Sequence, residues 1–276
     1  MVITWLNRGT LHLVRSEDYP WLHALTTAPL FTGIARRLSQ ESVSPSQADR
    51  AVGVIERSLA ADGPLVRAQL RERIEAGGVR TAGQALVQLL ALASLRGLIV
   101  RGPMIGREQA HVLVRDWLGP TPKHERDLAL AELARRYLSG HGPAGDRDLA
   151  RWAGLPLRDA RAGLSAISSE LRERPDGMLD LARRPAAAPL PPPRLLGAFE
   201  PLLLGWTSRQ PILGAQQAIV TVNGIFRAFA LVRARAAATW RMRAGEVEIQ
   251  PFRRLSKADA GALEADAADV RRFLAA

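Results

Sequence analysis

Cysteine is absent from the 276 residues, which removes disulfides and thiolate metal sites and gives no reason to expect an oxidising compartment. Lysine is nearly absent as well, since every basic residue except Lys123 and Lys257 is an arginine. Arginine makes bidentate contacts with phosphate and guanine that lysine cannot. The same bias, together with the many alanines, is also what GC-rich codon usage produces, so it carries little weight. Long apolar runs are missing. The most apolar stretch, Ala85 to Leu95, is interrupted by Gln88 and Ser94 and falls short of the roughly 18 to 20 residues a membrane span needs. The first residues show no basic start followed by an apolar segment, so no signal peptide is expected. The expected setting is the cytoplasm, in association with the nucleoid. His23, His111, His124 and His141 show no ligand spacing, so neither a metal site nor a cofactor is expected. The scattered carboxylates offer no recognisable acid/base pair.

What is present is a basic, core-forming chain. Lys and Arg number 38 against 27 Asp and Glu, a formal charge of +11, and apolar residues make up 47%. That apolar content is ample for one large or several small cores. The charge excess favours an anionic partner such as duplex DNA, although charge alone does not choose among anions.

The most informative stretch lies between residues 125 and 182. Leu130, Leu133, Ala134, Tyr137 and Leu138 recur at helical spacing, with Arg126, Glu132, Arg135 and Arg136 on other faces. A glycine-rich break from Gly140 to Gly145 leads to a short helix ending at Gly154, with Leu149, Trp152 and Ala153 as its apolar stripe. After Leu155-Pro156, the residues Leu157, Ala160, Leu164 and Ile167 form an inward face and leave Arg158 and Arg161 pointing outward. Glu170 to Arg174, the turn Pro175-Asp176-Gly177 and Met178 to Leu181 complete the pattern with a hairpin. Helix, helix, helix and hairpin is the outline of a winged helix, and the third helix is where nucleic acid would be read. Arg147, Arg158, Arg161, Arg172 and Arg174 are the candidate DNA-binding residues.

Residues 44–119 repeat that order. Ser44-Pro45-Ser46-Gln47 has the form of a capping box with proline at the first helical position. Further helices carry Val66, Leu70 and Ile74, and then Ala82 to Arg96; Leu98 to Arg101 and His111 to Arg115 are the expected wing strands. The third helix is apolar nearly all round, which predicts burial on several sides rather than a DNA-reading face. Residues 1–43 begin with a hairpin in which Ile3, Trp5, Leu11 and Leu13 alternate with polar neighbours. It reads as a wing without its helices, followed by bridging helices, and its apolar face is expected to be stranded.

A proline-rich connector spans 183–194. In 195–276, Ala218 to Val222, Asn223-Gly224 and Ile225 to Val232 form the clearest hairpin pattern, and Thr239 to Met242 and Val247 to Gln250 read as strands. A helix starting at Ser256, with Asp259 in capping position, closes the domain. The expected fold is therefore α+β, with tandem winged-helix (helix-turn-helix) domains at 44–119 and 120–182 followed by a small C-terminal antiparallel β domain.

At Arg8-Gly9-Thr10-Leu11-His12-Leu13 the chain resembles the bacterial winged-helix DNA-binding proteins that include the AlkZ and YcaQ type DNA glycosylases. Support comes from Ala131 to Leu138 with Gly142-Pro143-Ala144 and Asp148 to Trp152, and from Leu195-Leu196, Phe199-Glu200 and Leu203-Leu204-Gly205. The resemblance implies tandem winged helices and a C-terminal β domain around a basic DNA channel, and hydrolysis of the glycosidic bond of alkylated or crosslinked bases. It also makes Arg8 and His12 candidates for lining a base pocket, although a histidine in a hairpin is commonly just half exposed.

Three departures stand out. Glu200 replaces the family's Asp, and Arg233-Ala234-Arg235 stands where an Asp-Gly turn is usual. The Gln-x-Gln motif that the family carries ahead of the Arg-Gly-Thr-x-His block is not in the chain, and Gln216-Gln217 lies in the wrong domain to replace it. On this resemblance the chain starts at the wing of the family's first winged helix, and catalysis is expected to be absent or impaired. Two alternatives stand beside that expectation. One is an active monofunctional glycosylase in base-excision repair or self-resistance, and the other a winged-helix transcriptional regulator or scaffold.

Overall fold

A computed structural model describes every residue except Thr121, Lys123, Ala186, Ala187, Gln217, Val222, Asn223 and Ala276. The chain divides into two compact units, one of Met1–Gly140 with Leu149–Leu171 and one of His141–Asp148 with Arg172–Ala276.

In the first unit, β1 (Val2–Leu6) and β2 (Thr10–Val14) form an antiparallel hairpin around a 3-10 turn, Asn7–Gly9, with Ile3 opposite Leu13 and Trp5 opposite Leu11. Helices α1 (Tyr19–Thr26), α2 (Phe31–Gln40), α3 (Pro45–Asp62), α4 (Arg67–Ala76) and α5 (Ala85–Leu95) follow. Next come β3 (Ile99–Ile105), β4 (Glu108–Leu113) and α6 (Val114–Leu118).

The capping box at α3 is formed as the sequence predicts, with Gln47 N donating to Ser44 Oγ at 3.3 Å and Ser44 N to Gln47 Oε1 at 2.9 Å. Every residue of α5 except Val87 is buried, packed with Ile34, Leu38, Val52, Ile55, Leu70 and Ile74. A helix with no polar face has to sit in the middle of its core.

The opening hairpin does not stand apart as residues 1–43. Ile3 pairs with Arg101, giving one sheet in the order β2-β1-β3-β4, and Val2 packs with Tyr19, Val100, Val112 and Val114. The physical reason is an open edge: β3 would otherwise leave its backbone groups unpaired, and β1 satisfies them. The expected stranded face is only partly so. Ile3 and Trp5 are half-buried, Trp5 lying under the Arg101 guanidinium at 5.8 Å, while Leu11 and Leu13 remain 46% and 62% exposed.

Helices α7 (Arg126–His141), α8 (Asp146–Ala153) and α9 (Leu157–Ala166) occupy the places the periodicity indicates. Within the first unit α9 lies close on α7. A Cβ on Gly163 would stand 2.5 Å from the Leu130 carbonyl oxygen, so only glycine fits there.

The second unit carries the hairpin of β5 (Leu171–Glu173) and β6 (Leu179–Leu181), then β7 (Arg194–Leu196), α10 (Gln210–Leu213), β8 (Phe229–Val232), β9 (Arg235–Arg243), β10 (Glu246–Pro251) and α11 (Lys257–Ala275). The last four strands form an antiparallel sheet in the order β10-β9-β8-β7. Strand alternation divides its two faces. Phe229 packs with Leu203, Leu213, Ile219 and Phe226, whereas its neighbour Ala230 lies with Ala238 against Leu263 of α11. Small residues on that face let the helix approach. Ser256 caps α11 by accepting from Asp259 N at 3.0 Å, as expected.

The expected hairpin at 218–232 takes a different form. Val220 and Phe226 make an isolated bridge, and the sheet strand begins only at Phe229. Thr221 N and Arg227 N close a small loop on Ile225 and Ile219, which consumes the backbone groups a longer strand would need. Val222 and Asn223 of the expected turn, and Gln217, lie outside the described residues, as do Ala186 and Ala187 of the 183–194 connector.

Candidate nucleic-acid interface

The tip of the β1–β2 hairpin brings Arg8 and His12 together, along with two residues that sequence reasoning does not single out. Asn7 is 6% exposed, and its main-chain oxygen receives Thr10 Oγ1 at 3.2 Å and His12 Nε2 at 3.2 Å. Thr10 Oγ1 and His12 Nε2 are 2.9 Å apart. A carbonyl oxygen can only accept, so the contact with Asn7 is a hydrogen bond in the tautomer whose Nε2 carries the proton, and Nδ1 is then the ring's acceptor. Burial lowers the His12 pKa below the ordinary imidazole value; the hydrogen bond to Asn7 opposes this and the Arg8 charge adds to it. That direction favours the neutral ring, which offers hydrogen bonds without charge. Thr10 and His12 stand two apart in a strand and so share a face, which is the signal that could have found Thr10. The position of Asn7 depends on the turn and has no such signal.

Arg8 adopts φ 57° inside the turn, uncommon for a residue with a side chain. Its guanidinium donates to the main-chain oxygen of Trp152. That carbonyl is in the last turn of α8, where oxygens lack helical partners and a cation is favoured. Burial lowers the Arg8 pKa from its ordinary value. Arg8 thus holds the end of α8, as His12 holds the hairpin turn through Asn7.

On α9, Ala160, Leu164 and Ile167 just beyond it are buried, while Arg158 and Arg161 are exposed. Asp159 between them is buried and accepts Arg126 of α7 at 2.6 Å and Arg158 Nε at 3.2 Å. The Arg158 side chain nevertheless remains 84% exposed. Arg135 and Arg136 of α7 are committed elsewhere. Arg135 makes a two-pronged pair with Glu170 at 2.9 and 2.7 Å. Arg136 binds Asp18 at 2.6 Å and Glu132 at 2.7 Å, and lies over Trp21.

The remaining candidates belong to the second unit. Arg147 is exposed near the start of α8. Arg172 reaches the buried Asp180 at 3.4 Å and Arg174 reaches Asp176 at 3.6 Å, so both hairpin arginines already face a carboxylate. Asp148 is buried and accepts Gly145 N, Thr207 N and Thr207 Oγ1, at 2.9, 2.8 and 2.6 Å. That arrangement ties the loop before α8 to residue 207. Among the described residues no group of three or more His, Asp or Glu side chains is placed to hold a metal ion, and no helix is long and apolar enough to cross a membrane.

Helices and antiparallel sheets make this a mixed α/β protein. The comparisons with known proteins make this specific. The family described as DNA glycosylase AlkZ-like matches residues 1–273, and the chain belongs to that family. It is 27% identical over 303 aligned positions to the interstrand DNA cross-link repair glycosylase of Streptomyces sahachiroi, the match covering 98% of this chain and 78% of the relative. The solved structure of Streptomyces sahachiroi DNA glycosylase AlkZ is similar with a TM-score of 0.77 and 26% identity, again over 98% of this chain and 78% of that one.

Proposed function

We propose that the protein binds duplex DNA through winged helices arranged in tandem and serves the handling of alkylated or crosslinked bases, with base excision by this chain slow. One element order occurs twice. The first run is α3, a bridging residue Leu65, α4, α5 and the β3–β4 hairpin. The second is α7, a bridging residue Ala144, α8, α9 and the β5–β6 hairpin. In each case the bridging residue pairs with the second hairpin strand, Leu65 with His111 and Ala144 with Leu179. A short strand of this kind after the first helix is how a winged helix joins its wing to its helices.

The observation that carries the reading is α9. It holds Arg158 and Arg161 outward on a helix fixed from behind by Ala160, Leu164 and the Arg126–Asp159 pair. Excision of an alkylated or crosslinked base is the activity the relationship suggests. It requires a positioned water and stabilisation of the charge that develops as the base leaves. Around His12 the hydrogen-bonding groups are Thr10 and the Asn7 main chain, with no carboxylate among those described. Such a set can bind the edge of a base but does not activate water strongly, which supports slow excision.

Titration of a labelled duplex at two salt concentrations tests the binding. Affinity is expected to fall steeply with salt and to depend little on sequence, because most of it comes from phosphate neutralisation. Salt-independent binding would favour the regulator or scaffold reading, in which a protein partner covers the helices. An assay for abasic sites on alkylated duplex tests the chemistry. Efficient excision would overturn the slow-excision half of the proposal and leave the binding half standing.

A further inference from the structure

At one end of the β8–β9–β10 sheet, arginines gather with little counter-charge. Strands β8 and β9 are joined by the two-residue turn Arg233-Ala234, since Val232 pairs directly with Arg235. Beyond β10 the chain stays beside β9 for one more hydrogen bond, Phe252 N to Ala237 O at 3.0 Å, and then presents Arg253 and Arg254. These segments enclose a cleft of about 440 Å³ lined by Arg233, Arg235, Arg253 and Arg254, with Ser256 and Asp259 at the start of α11.

Among the described residues Asp259 is the one acid lining the cleft, and it is already occupied. Ser256 Oγ lies 2.7 Å from it and Arg233 3.4 Å. Among the described residues Arg235, Arg253 and Arg254 have no carboxylate within ion-pair distance, and all are exposed. Elsewhere on this sheet and its helix the arginines are paired, as Arg194 is with Asp266, Arg241 with Glu248 and Arg271 with Glu246. Like charges held around one concavity raise the local potential, which an arriving anion relieves.

The backbone of the turn points the same way. Arg233 and Ala234 lie at φ 51° and 61°, the left-handed region where a two-residue hairpin turn ordinarily carries Asn-Gly or Asp-Gly. A side-chain-bearing pair kept there at a conformational cost places the Arg233 guanidinium on the cleft, and strain of this kind gathers at working sites.

We infer that this cleft is a phosphate site that holds the sugar-phosphate backbone of the DNA. The ligand class follows from the lining. Four guanidiniums match phosphate oxygens in bidentate geometry. The other lining residues, Val232, Ala236, Ala237 and Leu255, include no aromatic ring on which a base could stack. The site therefore recognises backbone and not base, and contributes affinity without sequence preference. This inference rests on the duplex-DNA reading proposed above.

The test compares the parent protein with R253A/R254A and with R253K/R254K, using a labelled duplex over a salt series, and with R272A as a control outside the cleft. Every phosphate left unneutralised should lower the slope of log affinity against log salt by about 0.9. The double alanine variant is expected to lose up to roughly 2 from that slope and 10- to 100-fold in affinity at low salt. The double lysine variant should recover most of the slope, and R272A should match the parent. Thermal melting shows whether the variants fold, and the lysine form keeps the comparison valid if the alanine form does not. A parent that binds no duplex overturns the DNA reading itself. A parent that binds with both double variants equal to it in slope overturns this inference and leaves that reading intact. Thermal protection by inorganic phosphate that R253A/R254A abolishes, combined with an unchanged DNA slope, would assign the cleft to a free phosphate and overturn the backbone assignment.

Discussion

Gly154 and Arg8 stand so close that a Cβ on Gly154 would lie 3.2 Å from both the Arg8 main-chain nitrogen and its Cγ, although 146 positions separate them in the chain. Gly154 is also at φ +68°, where it turns the chain from α8 into α9. The hairpin tip that carries His12 is thus seated against the turn that precedes the arginine-bearing helix. Gly154→Ala is expected to cost about 1 to 2 kcal/mol for the left-handed backbone alone, and more for crowding against Arg8. Chemical denaturation of the variant beside the parent checks this, and an unchanged midpoint would show that the contact is looser than its geometry indicates.

That contact also shows where sequence reasoning stops. Helices α3, α7, α8, α9 and α11 are legible because apolar spacing and caps are local; Ser44 with Gln47 and Ser256 with Asp259 are written within four positions of one another. The outward direction of Arg158 and Arg161 follows from the same periodicity. Pairings over long separations leave no such trace. Nothing near Ile3 indicates that it meets Arg101, nothing near Arg8 that its guanidinium reaches Trp152, and nothing near Arg136 that it binds Asp18. Arg172 and Arg174 are a different case: they look like open charges in the sequence although the acids they face, Asp180 and Asp176, lie only a few positions away in the same hairpin. The arginine cleft is hidden more deeply, since Arg233 and Arg253 converge only when β9 is laid between β8 and β10.

Acid should destabilise the first unit through His111. This residue is 1% exposed in β4, where its main chain bonds Leu65, and burial pushes its imidazole down to about 3, with the nearby Arg101 adding to the shift. The unfolded chain has the ordinary value near 6.5. Between those two values the unfolded state binds the extra proton, so stability is full above pH 6.5 and is lost as pH falls toward 3. The expected loss from this group between pH 7 and pH 5 is about 2 kcal/mol. His111→Leu should flatten that part of the stability profile; a variant with the parent's slope from pH 7 to 5 would mean that other groups govern it.

The strained turn gives a prediction in which stability and binding move in opposite directions. Substituting Asn for Arg233 and Gly for Ala234 installs the pair that this turn geometry favours. Relief of the left-handed backbone should stabilise the protein by about 1 kcal/mol. The same change removes one guanidinium from the cleft, so duplex affinity at low salt should drop. Thermal melting and a binding titration on R233N/A234G measure the two effects separately. Gain of stability with no loss of affinity would show that Arg233 does not touch the DNA.

The last prediction concerns α9. Arg158 and Arg161 flank the buried Asp159, whose partner Arg126 holds it at 2.6 Å, and their neighbours Ala160 and Leu164 are 1% and 5% exposed. Truncating both arginines leaves the inward face and the Arg126–Asp159 pair in place. Stability should change by no more than about 0.5 kcal/mol, as is usual for exposed positions. If α9 is the helix that meets DNA, R158A/R161A should bind duplex more weakly at low salt, and its salt slope should be shallower by about 0.9 for each phosphate that goes unneutralised. Asp159→Asn supplies the contrast. It keeps both arginines but weakens the anchor from Arg126, so it should lower stability by about 1 kcal/mol while leaving the salt slope nearly unchanged. Parent-like binding and slope in R158A/R161A, with folding intact, would remove α9 from the interface and move the search for the DNA-reading surface to other arginines.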